Sequence, residues 1–428
     1  MADQTVSSLF TQSIPPEQIV IGDKDREVLR RLAGRMAELA ARPIEDEKRD
    51  LWFRLNALEE TRPVVFCDPE NGWNEIITDD QIECTGELAR GWEMALRKEI
   101  YWADTMGDDK VVDPVFDVRH VYDESDWGMH ETVQKTVAHG SYRWEPPLKD
   151  FDDIEKLRFP TITVDYEASE KLLALAQDTL ADILEVRQKT MWWWTLGMTW
   201  TLINLRGLTQ VMMDMYDHPD ELHRVMAILR DGHLAKLDFL EENGLLSLNT
   251  GNTYVGSGGF GFTRELPQDD FNPAKVRTID MWGFCESQET VQVSPDMFEE
   301  FIFPYQAPIM ERFGINCYGC CEPLHSRWHV VKRFDKLRRL SVSPWADFEK
   351  MADYLGADYI YSLKPAPADL ALPKIDEDRI RKDLRKVLQI TKGCRVEVIM
   401  KDNHTIGNNP ENVTRWCKIA QEEAAAVE

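Results

Sequence analysis

The stretch GINCYGCCEPLHSRWHVVKRFDKLRRLSVS, residues 314–343, decides the fold class of this chain. It predicts a strand over residues 314–320, a helix over residues 325–334 and a second strand over residues 337–343. Strands and helices that alternate through short connections are typical of parallel strands joined by right-handed crossovers. The stretch therefore predicts an α/β fold built on a parallel sheet.

The same alternation extends in both directions from this stretch. Towards the C-terminus, helices over residues 345–356 and 376–391 precede strands over residues 358–365 and 394–400. Towards the N-terminus, apolar runs predict four more strands, at residues 64–67, 114–122, 191–198 and 245–251. Eight strands in this order favour a (β/α)8 TIM barrel, although periodicity alone leaves an open doubly wound sheet as an alternative.

The remaining segments are interpreted as additions to the barrel. Residues 25–60 carry apolar side chains at three- and four-residue spacing, which predicts helices. We therefore assign residues 1–61 to an N-terminal helical extension and residues 62–428 to the barrel domain. Residues 79–157 are too long for one strand and helix, so they are predicted to hold insertions. The glycine-rich segment GSGGFGF, residues 256–262, is predicted to be a mobile loop.

The charge balance narrows the class of partner. The 428 residues include 50 Lys and Arg against 76 Asp and Glu, a formal net charge of −26. Nucleic acids and anionic membrane surfaces would repel such a chain. No secretory signal and no apolar run of about 18 residues is visible, so we expect a cytoplasmic protein with no membrane partner. We expect the protein to act on a small-molecule substrate and to bind a second copy of itself as a homodimer.

Chemistry is expected at the carboxyl ends of the strands, where the active sites of parallel barrels lie. Three of the eight cysteines crowd into NCYGCCE, residues 316–322. Side chains alternate along a strand, so Cys320 and Glu322 are predicted to point one way and Cys321 the other. With His404, beyond the last strand, they would offer a zinc ion three ligands and an open position. Cys321 and Cys394 are the alternative ligands.

Acidic and aromatic residues complete the predicted site. Asp68 and Glu70 follow the first strand and are candidates for acid–base catalysis, and His120, near the second strand, is a candidate to orient a substrate. The aromatic side chains predicted to bind substrate are Trp193, Tyr254 and Tyr318. GSGGFGF lacks the strand-to-helix context of a dinucleotide-binding turn, so it is not assigned to a nucleotide.

Three motifs resemble the uroporphyrinogen decarboxylase superfamily, over about residue 49 to the C-terminus. They are MYDHPDELHRVMAILRDGHLAKLDFLEENG at residues 215–244, VSPDMFEEFIFPYQAPIMERFG at residues 293–314 and NPENVTRWCKIAQE at residues 409–422. The R-Q-A-G-R signature of the porphyrinogen decarboxylases is missing, because FCDPENG stands at residues 66–72. The chain is therefore more similar to the zinc-dependent corrinoid methyltransferase branch, whose H-x-C ligand pair maps onto residues 318–320 or 320–322.

This resemblance implies an activity and its partners. A methyl group would pass from a methyl ether, aromatic in view of the 14 Trp residues, to the Co(I) corrinoid of a separate corrinoid-binding protein, with zinc acting as Lewis acid on the ether oxygen. The alternatives are a uroporphyrinogen decarboxylase-like lyase and a methylcobalamin:thiol methyltransferase. A third alternative, from a non-enzyme class, is a tetrapyrrole- or corrinoid-binding scaffold.

Overall fold

A computed structural model describes residues 14–130, 132–135 and 142–427. Its α-helices are α1 Asp23–Ala40, α2 Pro43–Asn56, α3 Trp73–Ile76, α4 Glu87–Tyr101, α5 Tyr166–Leu180, α6 Thr199–Arg206, α7 Leu208–Asp217, α8 Pro219–Glu242, α9 Pro295–Phe301, α10 Phe303–Met310, α11 Trp328–Val331, α12 Phe348–Leu355, α13 Glu377–Ile390 and α14 Glu411–Ala425. Its strands are β1 Val64–Cys67, β2 Val115–Val118, β3 Val121–Glu124, β4 Thr132–Lys135, β5 Tyr142–Glu145, β6 Ile162–Asp165, β7 Glu185–Gln188, β8 Tyr254–Val255, β9 Gly259–Phe260, β10 Trp282–Cys285, β11 Ile315–Tyr318, β12 Leu337–Val342, β13 Ile360–Leu363 and β14 Arg395–Met400.

Six strands form one parallel sheet in the order β1-β14-β13-β12-β11-β10. Strands β1, β10, β11 and β13 are buried along their whole length. Burial on both faces is the rule for parallel sheets, because the crossover helices cover them. Because the six strands are parallel, all of their carboxyl ends lie at the same end of the sheet. We call this end the carboxyl edge: it is formed by the residues that directly follow these six strands.

Side chains complete the hydrogen bonding of the two outermost strands of the sheet, β10 and β1. Beside β10, the amide of Asn249 accepts from Trp282 N at 2.9 Å and donates to Trp282 O at 2.9 Å, as a neighbouring strand would. Beside β1, the Asp109 carboxylate accepts from Val65 N at 2.8 Å and that of Asp108 from Cys67 N at 3.0 Å. Polar side chains thus form the hydrogen bonds that a further strand would otherwise make with the backbone N–H and C=O groups of these outermost strands.

These contacts correct the predicted strand list. Residues 191–198 and 245–251 form no strand, although Leu196 N donates to Phe284 O at 3.0 Å and Asn249 lies beside β10. Their apolar runs indicate that the side chains are buried. An extended segment that pairs with no other strand buries its side chains equally well, so burial alone does not predict a strand. Conversely, β10 was not predicted. The fold is mixed α/β with a six-stranded parallel sheet and a separate parallel pair, β2 with β7; an eight-stranded barrel stays a prediction.

Replacing Asn249 tests whether its hydrogen bonds to β10 stabilise the fold. Asn249→Ala leaves the N–H and C=O of Trp282 without partners, and an unsatisfied buried polar group costs about 1–3 kcal/mol. We expect the free energy of unfolding in urea to fall by about that amount. Asn243→Ala, which removes an exposed amide bond to Phe239 O, is the control and should cost less than about 0.5 kcal/mol. Equal losses in the two variants would contradict the edge-pairing role.

The glycine-rich segment is not a mobile loop. Residues 255–263 are buried and form the β8–β9 hairpin against the sheet. A Cβ at Gly258 would lie 2.5 Å from Ile399 Cγ2, and one at Gly259 would lie 2.4 Å from Arg339 Cζ. The glycines are therefore needed for close approach to β14 and β12, which explains the pattern that suggested flexibility.

The predicted helical N-terminus is observed as α1 and α2, which are separated by Ala41 and Arg42, and Pro43 occupies the first position of α2. Residues 1–13 lie outside the described residues, and the division at residue 61 stays a prediction. Within the described ranges, no helix combines the length and apolar character that a bilayer crossing requires.

Candidate functional site

Lys401 lies at the carboxyl edge, after the strand that is second from one side of the sheet. It directly follows β14, its side chain is only 5% exposed, and its Nζ lies 3.0 Å from Asp402 Oδ1 and 3.9 Å from Glu70 Oε1. Burial by itself lowers the pKa of an ammonium group, whereas the acidic groups of Tyr254, Cys320, Asp402 and Glu70 act in the opposite direction and raise the pKa of Lys401 overall. Lys401 is therefore a buried ammonium group that faces two carboxyl groups.

Glu70 reaches Lys401 because β1 and β14 are neighbours. Cys67 pairs with Met400, and Asp68 N donates to Met400 O at 2.9 Å, so the loop after β1 lies beside the loop after β14. Burial raises the pKa of the Glu70 carboxyl to about 7, against the opposing attraction of Lys401. Glu70 is thus an acid that exchanges its proton near neutral pH. Asp68 has a different role, since its Oδ1 accepts from Trp73 Nε1 at 2.9 Å and Glu70 N at 3.0 Å.

Two aromatic rings stand beside this pair. The Trp194 ring centroid is 5.9 Å from Lys401 Nζ, and the ring packs edge-on against Phe284 at 5.6 Å. Tyr254, on β8, packs edge-on against Phe66 at 6.3 Å, and its hydroxyl group interacts electrostatically with Lys401. The ammonium group, the carboxyl group and the two rings together offer the contacts that suit a flat, oxygen-bearing ligand.

A second buried lysine lies on the next strand of the sheet. Lys364 follows β13, is 5% exposed and donates to Ser362 Oγ. Burial, opposed by Glu397 and assisted by Lys401, lowers the pKa of Lys364 to about 8. Cys320 also influences both lysines. Lys364, Lys401 and Cys320 therefore belong to one electrostatic cluster, which could hold the carboxylate of a ligand.

The predicted zinc ligands do not converge on one point. The Glu322 carboxylate is buried, and both of its oxygens are engaged: Oε1 accepts from Ser287 N at 2.8 Å and Oε2 from Cys320 N at 2.9 Å. His404 is exposed, with its Nδ1 3.5 Å from Asn71 Nδ2. Within the described residues, no group of three or more His, Cys, Asp or Glu side chains is arranged to hold a metal ion. Cys320, Glu322 and His404 therefore do not fit a zinc ion.

Of two further groups, Glu286 belongs to this region and Cys394 does not. Glu286 is fully buried with Oε1 unbonded, and burial, together with Glu289 and Glu322, raises its pKa well above the usual range. The alternative ligand Cys394 precedes β14, at the opposite end of that strand from Lys401, and its Sγ contacts Ala352 O at 3.7 Å.

The prediction that Cys321 points away from Cys320 is wrong. Their Sγ atoms are 3.7 Å apart. Strand alternation does not extend to these residues, since β11 ends at Tyr318 and Gly319 takes φ +88°. A left-handed residue rotates the following side chain out of the strand pattern, so both sulfurs emerge on one side.

Three other predicted residues lie away from Lys401. His120 is held by Thr190 Oγ1 at 2.8 Å at the end of the separate β2–β7 pair, and burial lowers its pKa. The Trp193 ring packs against Phe313, before β11, at the amino end of the sheet. Tyr318 is buried, and its hydroxyl donates to Gln306 Oε1 at 2.9 Å. The residues that sequence reasoning missed are Lys401 and Trp194; the position of Lys401 directly after the last predicted strand was the available signal.

Comparison with known proteins gives structural similarities but no match from sequence. No protein-family profile matches the sequence, and no protein of curated function is significantly similar to it. The structure is similar to that of a methyltransferase from Methanosarcina mazei, with a TM-score of 0.48 and 12% sequence identity, over 87% of this chain and 97% of that chain. A similarity at this level does not assign a family or an activity.

Proposed function

We propose that this protein transfers the methyl group of an aromatic methyl ether to the corrinoid of a partner protein, and that the chain is an enlarged barrel of the uroporphyrinogen decarboxylase type. The observation that supports the proposal best is the pair of Glu70 and Lys401 beside Trp194 at the carboxyl edge. An ether oxygen is a poor leaving group unless it receives a proton or a positive charge as its bond to carbon breaks. This pair offers both.

The reaction assigns one task to each group. As the bond between oxygen and methyl breaks, the Glu70 carboxyl donates its proton to the aryl oxygen and becomes a carboxylate. The Lys401 ammonium stabilises the negative charge that develops on that oxygen. Trp194 and Tyr254 hold the aromatic ring in place. No step depends on a zinc ion, because the predicted ligands do not form a site.

The acceptor is expected above the carboxyl edge. A cobalt(I) corrinoid held by the partner supplies the electron pair that takes the methyl group. Exposed apolar side chains are present on three loops that follow strands of the sheet: Val291 after β10, Trp345 after β12 and Leu372 after β13, which are 44, 68 and 43% exposed. These side chains would add apolar contact area to an interface with a corrinoid protein that docks over the site.

The function is tested with free cob(I)alamin as the acceptor and 2-methoxyphenol as the donor, under anaerobic conditions. We expect methylcobalamin and catechol to form in equal amounts, the first followed by absorbance and the second by chromatography. The experiment is repeated with a range of methoxybenzenes. If none of these donors gives more of its phenol than a protein-free control does, the proposal is refuted. Metal analysis of the purified protein decides separately whether it carries zinc.

The pH profile tests the role assigned to Glu70. Because the proton donor must be protonated and its pKa is about 7, kcat/KM should be constant below pH 7 and fall up to about tenfold per pH unit above it. In Glu70→Gln the rate should be at least about 100-fold lower, with the fall near pH 7 abolished. Glu311→Gln, at an exposed position, should keep the wild-type profile. A wild-type profile in Glu70→Gln would exclude Glu70 as the acid.

A lyase is the second function that an observation favours. The buried Lys364 and Lys401 ammonium groups, both in the cluster around Cys320, suit the carboxylate of a substrate that loses carbon dioxide. Carbon dioxide release from aromatic or tetrapyrrole carboxylates without any corrinoid present would support this alternative. Methyl transfer that requires the corrinoid would exclude it.

A further inference from the structure

Cys320 and Cys321 place two sulfur atoms together at the carboxyl end of β11. Their Sγ atoms are 3.7 Å apart, and Cys320 Sγ also lies 3.3 Å from Ser257 Oγ. No function proposed above uses the second of these thiols. The pair therefore needs an explanation that is independent of methyl transfer.

The backbone holds the two thiols in this arrangement. Cys320 N donates to Glu322 Oε2 at 2.9 Å, and Cys320 O accepts from Ser341 Oγ at 2.8 Å. At Gly319, a Cβ would lie 2.7 Å from Leu324 Cδ1, so the chain is closely packed on this side as well. Little conformational entropy remains to be lost when both sulfurs bind one ligand.

Access and charge distinguish this pair from the other thiols. Cys321 is partly exposed and opens the pair to solvent, whereas Cys320 is buried beside it. The Lys401 cation favours the Cys320 thiolate, although Cys321 and burial raise the pKa of Cys320 overall. All eight cysteines lie in the described residues. Of the other six, Cys394 is partly exposed and five are buried, including Cys67 and Cys417, whose thiols interact with each other. The buried ones are Cys67, Cys84, Cys285, Cys317 and Cys417.

The separation of the sulfurs favours a chelate over a disulfide. Trivalent arsenic is pyramidal, with S–As–S angles below the tetrahedral value, so two thiolates bound to it lie slightly closer together than the 3.7 Å between these sulfurs, a difference that side-chain rotation supplies. A disulfide would need the sulfurs to approach to about 2.05 Å, between Cα atoms only about 3.8 Å apart instead of the usual ~4.4–6.8 Å. The chelate therefore forms without movement of the backbone, and the disulfide is strained.

We propose that Cys320 and Cys321 bind trivalent arsenic, as arsenite or a monosubstituted arsenical, through two sulfur–arsenic bonds. With phenylarsine oxide, two S–H bonds and the arsenic–oxygen bond break, two arsenic–sulfur bonds form, and the two protons leave with the oxygen as one water molecule. No oxidant or reductant is consumed. Binding does not depend on the proposed methyl transfer.

Phenylarsine oxide is the probe for this site, and the intact full-length protein is analysed by mass spectrometry. We expect one adduct per chain that survives excess 2-mercaptoethanol and is removed by 2,3-dimercaptopropanol. Cys320→Ser and Cys321→Ser should each raise the apparent Kd at least about 100-fold, because only one bond remains. Cys394→Ser is the matched control and should keep the adduct.

Three results would overturn the proposal. They are an adduct that 2-mercaptoethanol removes from the wild type, an adduct of wild-type affinity in Cys320→Ser or Cys321→Ser, and a wild type that loses two hydrogens to a disulfide instead of binding arsenic. Peptide mapping of the wild-type adduct locates the arsenic without any variant, so the test holds even where a substitution disturbs folding.

Discussion

Lys401→Met is expected to lower kcat for demethylation about 100- to 1000-fold, the usual effect of losing one group that stabilises a developing oxyanion. Methionine fills a similar volume, so the buried position after β14 remains occupied. The charge that faces Glu70 at 3.9 Å and the Trp194 ring at 5.9 Å is lost. The measurement is methyl transfer to cob(I)alamin, with unfolding in urea as the check on folding.

A second readout separates the catalytic role of Lys401 from a merely structural one. Lys401 lowers the pKa of Glu70, so its removal should shift the alkaline limb of the remaining activity to higher pH. Lys401→Arg keeps the charge and should keep the limb near pH 7. Lys392→Met, at an exposed position, is the control. A Lys401→Met protein within threefold of wild-type activity, with an unshifted limb, would remove Lys401 from the mechanism.

Glu397→Ala is expected to give the largest loss of stability. Glu397 on β14 and Arg339 on β12 form an ion pair at 3.0 Å inside the sheet, with side chains 0 and 2% exposed. Removing one partner of a buried pair leaves an uncompensated charge, which costs about 3–5 kcal/mol. The free energy of unfolding in urea measures this loss.

The double variant provides the control for that loss. Arg339→Met with Glu397→Met removes both charges, and replacing a buried pair by apolar side chains is often neutral or stabilising. We expect the double variant to recover most of the stability that Glu397→Ala loses. Glu397→Ala that costs less than about 1 kcal/mol would show that water reaches Arg339.

The sequence by itself determined most of the sheet. Strands β1, β11, β12, β13 and β14 were predicted because each is a short apolar run between loop or helix signals. Strand β10, WGFC, was missed because it has a glycine and no β-branched residue. Residues 191–198 were predicted as a strand because an aromatic run indicates burial, and local pattern does not reveal whether the backbone has a pairing partner.

The sequence also located Glu70, because a residue that closely follows a strand must lie at the carboxyl edge. Only the tertiary structure decided which side chains meet there. Trp194 contacts Lys401 while Trp193 packs at the other end of the sheet, a choice made by an unpaired segment whose side-chain directions follow no simple period. Likewise Cys320 and Cys321 share one side because the backbone turns at Gly319. Such directions depend on dihedral angles set by packing, which residue spacing does not encode.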